Sequence, residues 1–205
     1  MGQGLLIILS GFSGSGKGTI MKRLLEKYEN YSLSVSATTR APRPGERDGV
    51  DYFYKTEEEF QKMIDGDEFL EYARYVDHSY GTPAAYVDRQ LAAGRDVILE
   101  IEMQGARKVK QKRPDTLMVF VTPPSAKELR ARLTGRGTET EEVIRSRMNT
   151  AKKEAEGMDQ YDYLLINDDL EEAVNTLHAL IQSQHLQVGR QSAFITKIRQ
   201  ELQEI

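Results

Sequence analysis

The chain contains no cysteine. Disulfide bridges, thiolate metal sites and cysteine nucleophiles are therefore excluded. Histidine is scarce: His78, His178 and His185 are the only three, and no third ligand accompanies the His178/His185 pair to make a zinc site. The pair reads as a partly exposed feature of a helix. Positive charge is not in excess either. With 28 Lys+Arg against 32 Asp+Glu, the formal net charge is -4, whereas a general nucleic-acid binder needs a basic balance or a dense basic face. The apolar run "LLIIL" near the N-terminus is far too short to span a bilayer and lacks the flanks of a leader peptide. These absences predict a cytoplasmic protein with no membrane partner, no nucleic-acid partner and no obligate protein partner in evidence. Internal repeats and low-complexity runs are also missing. The chain's 205 residues, 39% hydrophobic and 29% charged, suit one globular domain, with or without insertions.

Against that background stands "GFSGSGKGTI", Gly11 to Ile20. It follows the phosphate-loop pattern of glycine, four residues, glycine and lysine, but has Gly18 where a serine or threonine should follow. Thr19 comes one residue late. Glycines let successive backbone N–H groups converge on phosphate oxygens, and the positive end of the next helix adds to the field. The candidate nucleotide-binding residues are Gly11, Phe12, Ser13, Gly14, Ser15, Gly16, Lys17, Gly18 and Thr19. Magnesium commonly keeps several waters, so either Thr19 or a water fills the place that Gly18 leaves.

The flanking pattern fits this motif. Leu5 to Ser10 is a continuous apolar run, as in a strand buried on both faces. After the loop, Ile20, Met21, Leu24 and Leu25 fall on one helix face. Strand patterns follow at "YSLSVSATTR", "DYFYK", "EFLEYARYV", "DVILEIE", "TLMVFVTPP" and "YDYLLINDD". Helices begin at Thr56 with Glu59, at Thr82-Pro83, and at Ser125 with Glu128, each with its start signal. A charged helix runs to Glu156, a core helix covers Leu170 to Gln187, and an amphipathic helix ends the chain. Alternating apolar strands and helices predict an α/β fold, a parallel sheet covered by helices on both faces. Two stretches break the rhythm. We expect a mixed α+β insertion at 36–85 and a helical one at 128–154, on a core of 1–35, 86–127 and 155–205.

The insertions hold the remaining chemistry. Arg40, Arg43 and Arg47 gather in the first, and Arg132, Arg136 and Arg147 in or near the second. Transfer between two phosphates brings anions together, so positioning and charge neutralisation supply most of the catalysis. A phosphate acceptor is already nucleophilic, which makes the lack of an obvious histidine base or triad expected. Tyr52, Tyr54, Tyr72, Tyr75 and Tyr80 crowd the first insertion beside Glu71 and Thr82. A carboxylate can accept two parallel N–H bonds from guanine, at N1 and the 2-amino group. Adenine offers neither donor there, so Glu71 would be left as an unpaired buried charge. On the expected strand Asp96 to Glu102, Glu100 and Glu102 share a face at the carboxyl end, where open α/β sheets place ligands.

Taken in order, "SGFSGSGKGT", "SATTRAPRPGERDGVDYFY", "EFLEYA", "YGTP", "LEIEMQGA", "LTGRGTETEEVIRSRM" and "YDYLLINDD" resemble guanylate kinase over nearly the whole chain. The resemblance implies a P-loop NTPase-type core, a monophosphate-binding insertion and a lid, with magnesium-dependent transfer of the ATP γ-phosphoryl group to GMP or dGMP. By motif position, Ser36, Arg40, Arg43, Tyr52 and Tyr80 would hold the GMP phosphate, and Glu71 and Thr82 would read guanine. Glu102 would lie at the GMP site and Glu100 close to magnesium. Lys17, Arg43, Arg132, Arg136 and Arg147 would stabilise the transferring group, and Asn167 would lie near adenine. Many relatives have "DID" for "EIE", which moves both carboxylates by a methylene. Thr82 stands for a serine of some members, and "DHSYG" replaces "GNYYG", losing a tyrosine at Ser79. Two other readings share the motifs: a P-loop kinase with another phosphorylated acceptor, and a protein-binding module. Glu71 and Arg43 speak against the first, and the intact Lys17 loop against the second.

Overall fold

The computed structural model describes residues 3–135 and 140–204. Strand β1 (Leu6–Gly11) leads through the glycine-rich loop into helix α1 (Lys17–Lys27), then to the short strand β2 (Tyr31–Leu33). Next come β3 (Ala37–Thr38), β4 (Phe53–Tyr54), α2 (Glu57–Asp65), β5 (Phe69–Tyr75), β6 (His78–Pro83) and α3 (Ala84–Ala92). The chain returns with β7 (Asp96–Glu100), α4 (Met103–Lys112), β8 (Leu117–Thr122), α5 (Ala126–Gly135) and α6 (Glu141–Ala155). It finishes with β9 (Tyr163–Ile166), α7 (Leu170–His185) and α8 (Ser192–Glu201).

The main sheet has the order β2-β7-β1-β8-β9, with all its pairings parallel. The unbroken apolar run of β1 is explained by what lies on each side. Leu5, Ile7 and Leu9 pack with Ile20 and Leu24 of α1 and with Val174, Leu177 and Ile181 of α7. Leu6 and Ile8 face the other way, onto Val87 and Leu91 of α3 and Ala106 and Val109 of α4. A central strand with two buried faces needs no polar alternation. Asp96, 1% exposed, is satisfied by the Leu5 N–H at 2.8 Å, Asn30 Nδ2 at 3.1 Å and His185 Nε2. His178 instead bonds the Tyr31 hydroxyl at 2.7 Å and stacks on Tyr28. The two histidines thus serve separate partners, and among the described residues no group of His, Asp and Glu is placed to hold a metal by three or more ligands.

The second sheet, β4-β3-β6-β5, has a small core of Ala37, Phe60 and Phe69. Three expectations need correction here. The "YSLSVSATTR" strand is two strands: Tyr31–Leu33 pairs with β7, and Ala37–Thr38 pairs with β4 and β6. The chain crosses between the sheets at Ser34 to Ser36. Strand β6 was not expected, and it forms a hairpin with β5 around Val76, at φ 54. Finally, β7 ends at Glu100, and Glu102 sits at the N-cap of α4 in extended conformation. The Thr56/Glu59 capping box and the Ser125 cap of α5 are both formed. A fourth cluster joins Phe12 of the loop to Phe120, Leu129, Leu133, Ile144 and Ala151, so α5 and α6 pack directly on the loop. Helix α8 buries no residue.

Candidate active site

The loop between β1 and α1 depends on backbone geometry that side chains resist. Gly16 has φ 92, and a Cβ there would lie 2.3 Å from Asn167 Nδ2. That amide, buried at the end of β9, donates to the Ser15 carbonyl at 2.8 Å. Asn167 therefore braces the loop from beneath, a role for which the sequence carries no signal. Lys17 Nζ donates to the carbonyls of Gly11 at 2.7 Å and Phe12 at 3.1 Å. Arg147, on α6, donates to the Ser13 hydroxyl. Gly18 and Thr19 are exposed in the first turn of α1, and a Cβ on Gly18 would meet nothing within 4 Å.

Carboxylates surround Lys17. Glu100 keeps solvent access, yet the crowding of protein around it raises its carboxyl pKa, while Lys17 pulls it down. Glu154 of α6 behaves alike: partial burial raises it, Lys17 lowers it and Glu102 raises it. Glu154 lies two turns beyond Arg147 on the same helix, so the two share the face toward the loop. Sequence reasoning missed Glu154. Its heptad spacing from Arg147 was the available signal, hidden in a run of charged residues.

The loop between β3 and β4 is built around Glu46. Arg43-Pro44-Gly45-Glu46 turns with a Glu46 N–H to Arg43 carbonyl bond of 3.1 Å and Gly45 at φ 90, the type II arrangement that wants proline then glycine. The Glu46 carboxylate accepts the Arg43 N–H at 2.7 Å, the Tyr54 hydroxyl at 2.8 Å and two bonds from the Arg40 guanidinium, at 3.0 and 2.9 Å. Arg40 foremost, then the Arg43 N–H, pulls the Glu46 pKa down to about 2. Arg40 also lies over the Tyr52 ring, 5.3 Å from its centroid, and the Tyr52 and Tyr80 rings are 6.1 Å apart. The Arg43 side chain is exposed, and Ser36 is half-buried at the start of β3. Glu46 stood in the quoted motif without an assigned role.

Because its folded pKa lies below its ordinary value of 4.5, Glu46 contributes stability that is complete above pH 4.5 and is lost as the pH falls toward about 2. Carboxyl NMR titration of Glu46 is expected to give a midpoint well under 4. A midpoint at 4 or above would mean the Arg40–Glu46 pair does not form in solution.

Strands β5 and β6 bring Glu71 opposite Thr82. The fully buried Thr82 donates its hydroxyl to Glu71 Oε1 at 2.8 Å. Burial pushes the Glu71 carboxyl up, and Glu102 adds to the rise against Thr82 and Lys108. Glu102 is thus within electrostatic reach of both Glu71 and Glu154, and Glu154 of Lys17. A chain of charges thus runs from Glu71 through Glu102 and Glu154 to Lys17. Arg132 is half-buried and donates to Glu128 one turn earlier, at 2.8 Å. Arg136 lies outside the described residues.

A glycine-rich phosphate loop between the central strand β1 and helix α1 of a parallel α/β sheet, with its lysine at the head of the helix, gives the core the build of a P-loop phosphotransferase. The model of the guanylate kinase family matches residues 3–184. The guanylate kinase of Caldanaerobacter subterraneus subsp. tengcongensis is 51% identical over 199 residues, covering 97% of each chain. That of Halalkalibacterium halodurans is 53% identical over 183 residues, covering 89% of this chain and 90% of the relative. Among solved structures, the guanylate kinase of Anaplasma phagocytophilum aligns with a TM-score of 0.70 at 30% identity, over 92% of this chain and 90% of that one. The chain belongs to the guanylate kinase family, and so to the ATP:GMP phosphotransferases.

Proposed function

We propose that the protein transfers the γ-phosphoryl group of ATP to GMP, and also to dGMP, in cytoplasmic purine nucleotide recycling. The observation that supports the acceptor is the Glu71 carboxylate, held by the hydroxyl of the fully buried Thr82 across the β5–β6 pairing. An acceptor phosphate oxygen attacks Pγ, the bond from Pγ to the β,γ-bridging oxygen breaks, and ADP leaves. No proton need be removed from the attacking oxygen. Lys17, Arg132, Arg136 and Arg147 neutralise the charge that spreads over the transferring group, while Ser36, Arg40, Arg43, Tyr52 and Tyr80 hold the acceptor phosphate.

Magnesium accompanies ATP in this reading. The donor set suits it, because Glu100 and Thr19 offer hard oxygen ligands and the ion keeps waters of its own. Glu100 would hold it through water, and a water would fill the open space beside Gly18, with Thr19 nearby. The ion would supply charge neutralisation between the phosphates. Gly18→Ser places a hydroxyl in that space without a clash. We expect KM for MgATP to stay within about threefold, or to fall, since the serine takes over one ligand position and improves the helix. A tenfold rise in titrations of ATP and free magnesium would show that the space is required empty.

The test of the function is ADP formation with MgATP and, in turn, GMP, dGMP, AMP, CMP and UMP. Fast turnover with GMP and dGMP alone is expected. Equal rates with AMP, or none with GMP, would defeat the reading.

A further inference from the structure

Helix α4 has a glycine, Gly105, at the third position of its first turn. Its backbone shows no positive φ, so neither turn geometry nor handedness calls for glycine, and alanine is the better helix former. What a side chain there would meet is the base-reading carboxylate. A Cβ on Gly105 would lie 3.0 Å from Glu71 Oε2, 3.3 Å from its Cδ and 3.4 Å from its Cγ. Its three nearest heavy atoms would thus all belong to Glu71. The carboxylate has little freedom to retreat, since its other oxygen is held by Thr82 at 2.8 Å and Thr82 is fully buried in β6. Helix α4 is in turn clamped to β5 by Lys108, which donates to the Tyr72 carbonyl at 3.0 Å, and by Lys112, which donates to the Phe69 carbonyl at 2.8 Å.

We propose that Gly105 is a specificity-determining residue, whose missing side chain sets how deeply the Glu71 carboxylate sits and so holds it in register with the acceptor base. This rests on the reading of Glu71 as the guanine acceptor. The first turn of α4 then serves as a stop: hydrogen at Gly105 lets Oε2 rest against the helix, and a methyl pushes the carboxylate outward, toward the space the base occupies. A shift of a few tenths of an ångström displaces both parallel N–H acceptors together. It leaves the phosphate loop, on the other side of Glu102, untouched.

The experiment is a double-variant cycle on the full chain, with KM and kcat for GMP and for ATP and the midpoint of thermal unfolding. Gly105→Ala is expected to raise KM for GMP about tenfold, with KM for ATP within twofold and the midpoint unchanged or higher. In the Glu71→Ala background, which has no carboxylate to displace, the same substitution is expected to cost less than twofold more. Gly105→Val enlarges the GMP effect. If Glu71→Gln impairs GMP use while Gly105→Ala does not, the stop is wrong and the reading of Glu71 stands. If Glu71→Gln leaves GMP use intact, the reading falls and this inference with it. An equal penalty in both backgrounds would overturn the stop, because Gly105 would then act on something other than Glu71. Should Gly105→Ala alone lower the unfolding midpoint, its recovery in the Glu71→Ala/Gly105→Ala pair supports the contact, and failure to recover counts against it.

Discussion

Lys17→Met is expected to lower kcat by about three orders of magnitude, roughly 4 kcal/mol of transition-state stabilisation, in a chain that still folds. Methionine keeps the length and apolar stem of lysine while removing the full charge. Among the bonds lost are those to the loop carbonyls of Gly11 and Phe12, in a loop that water reaches, and a hydrogen bond of this kind is worth about 1 kcal/mol. The fold there is secured by other means: the Phe12 cluster, the Asn167 bond to Ser15 and the glycine conformations. What disappears is the mobile cation that meets the transferring phosphoryl. Its removal also leaves Glu100 and Glu154 without the charge that offsets their burial, which worsens the field felt by two anionic substrates. Single-turnover ADP formation beside a thermal unfolding curve measures both quantities. A loss below tenfold would assign the neutralising role to the arginines instead.

Glu71→Gln is expected to cut kcat/KM for GMP by about a hundredfold, with KM for ATP within twofold. The amide keeps the shape but offers one oxygen and presents its own N–H donors, so one of the two guanine donors loses its acceptor and faces a like group. The Thr82 hydroxyl can still bond the remaining oxygen, which then competes with the base. The pH profile gives a second readout. Burial raises the Glu71 pKa above its ordinary value, so acidification neutralises it sooner than an exposed glutamate, and KM for GMP rises along an acid limb. Glutamine has no such proton, and that limb is expected to vanish. Unchanged GMP kinetics in the variant would remove Glu71 from base recognition.

The main sheet was legible because its physics is local and periodic. Four apolar strands, a glycine loop and cap signals at Thr56 and Ser125 each announce themselves within a few residues. The second sheet was harder. The runs "DYFYK" and "EFLEYARYV" did announce β4 and β5, but β3 has two residues, too few for a period, and β6 reads "HSYGTP" after a turn at Val76-Asp77 that carries no Asn-Gly signature. Its existence depends on pairing with β5 and on the Phe60–Phe69 core, which are tertiary facts. The site divides the same way. Residues whose chemistry is rare in context, such as Lys17, Arg40 and Glu71, could be named from the chain. Supporting roles could not be read: Glu46 is one acid among many in its motif, Asn167 was named only as a neighbour of adenine although it bonds a carbonyl 152 positions away, and Gly105 works by what it lacks.

The phosphate loop and the sheet bearing Glu71 are seated differently. The loop grows out of the central strand and shares the Phe12 cluster with α5 and α6, whereas the sheet bearing Glu71 and Thr82 has a small core of its own, Ala37, Phe60 and Phe69, and joins the main core through Leu70. Substitutions at Phe60 or Phe69 are therefore expected to disturb the sheet bearing Glu71 and Thr82 while sparing the phosphate loop.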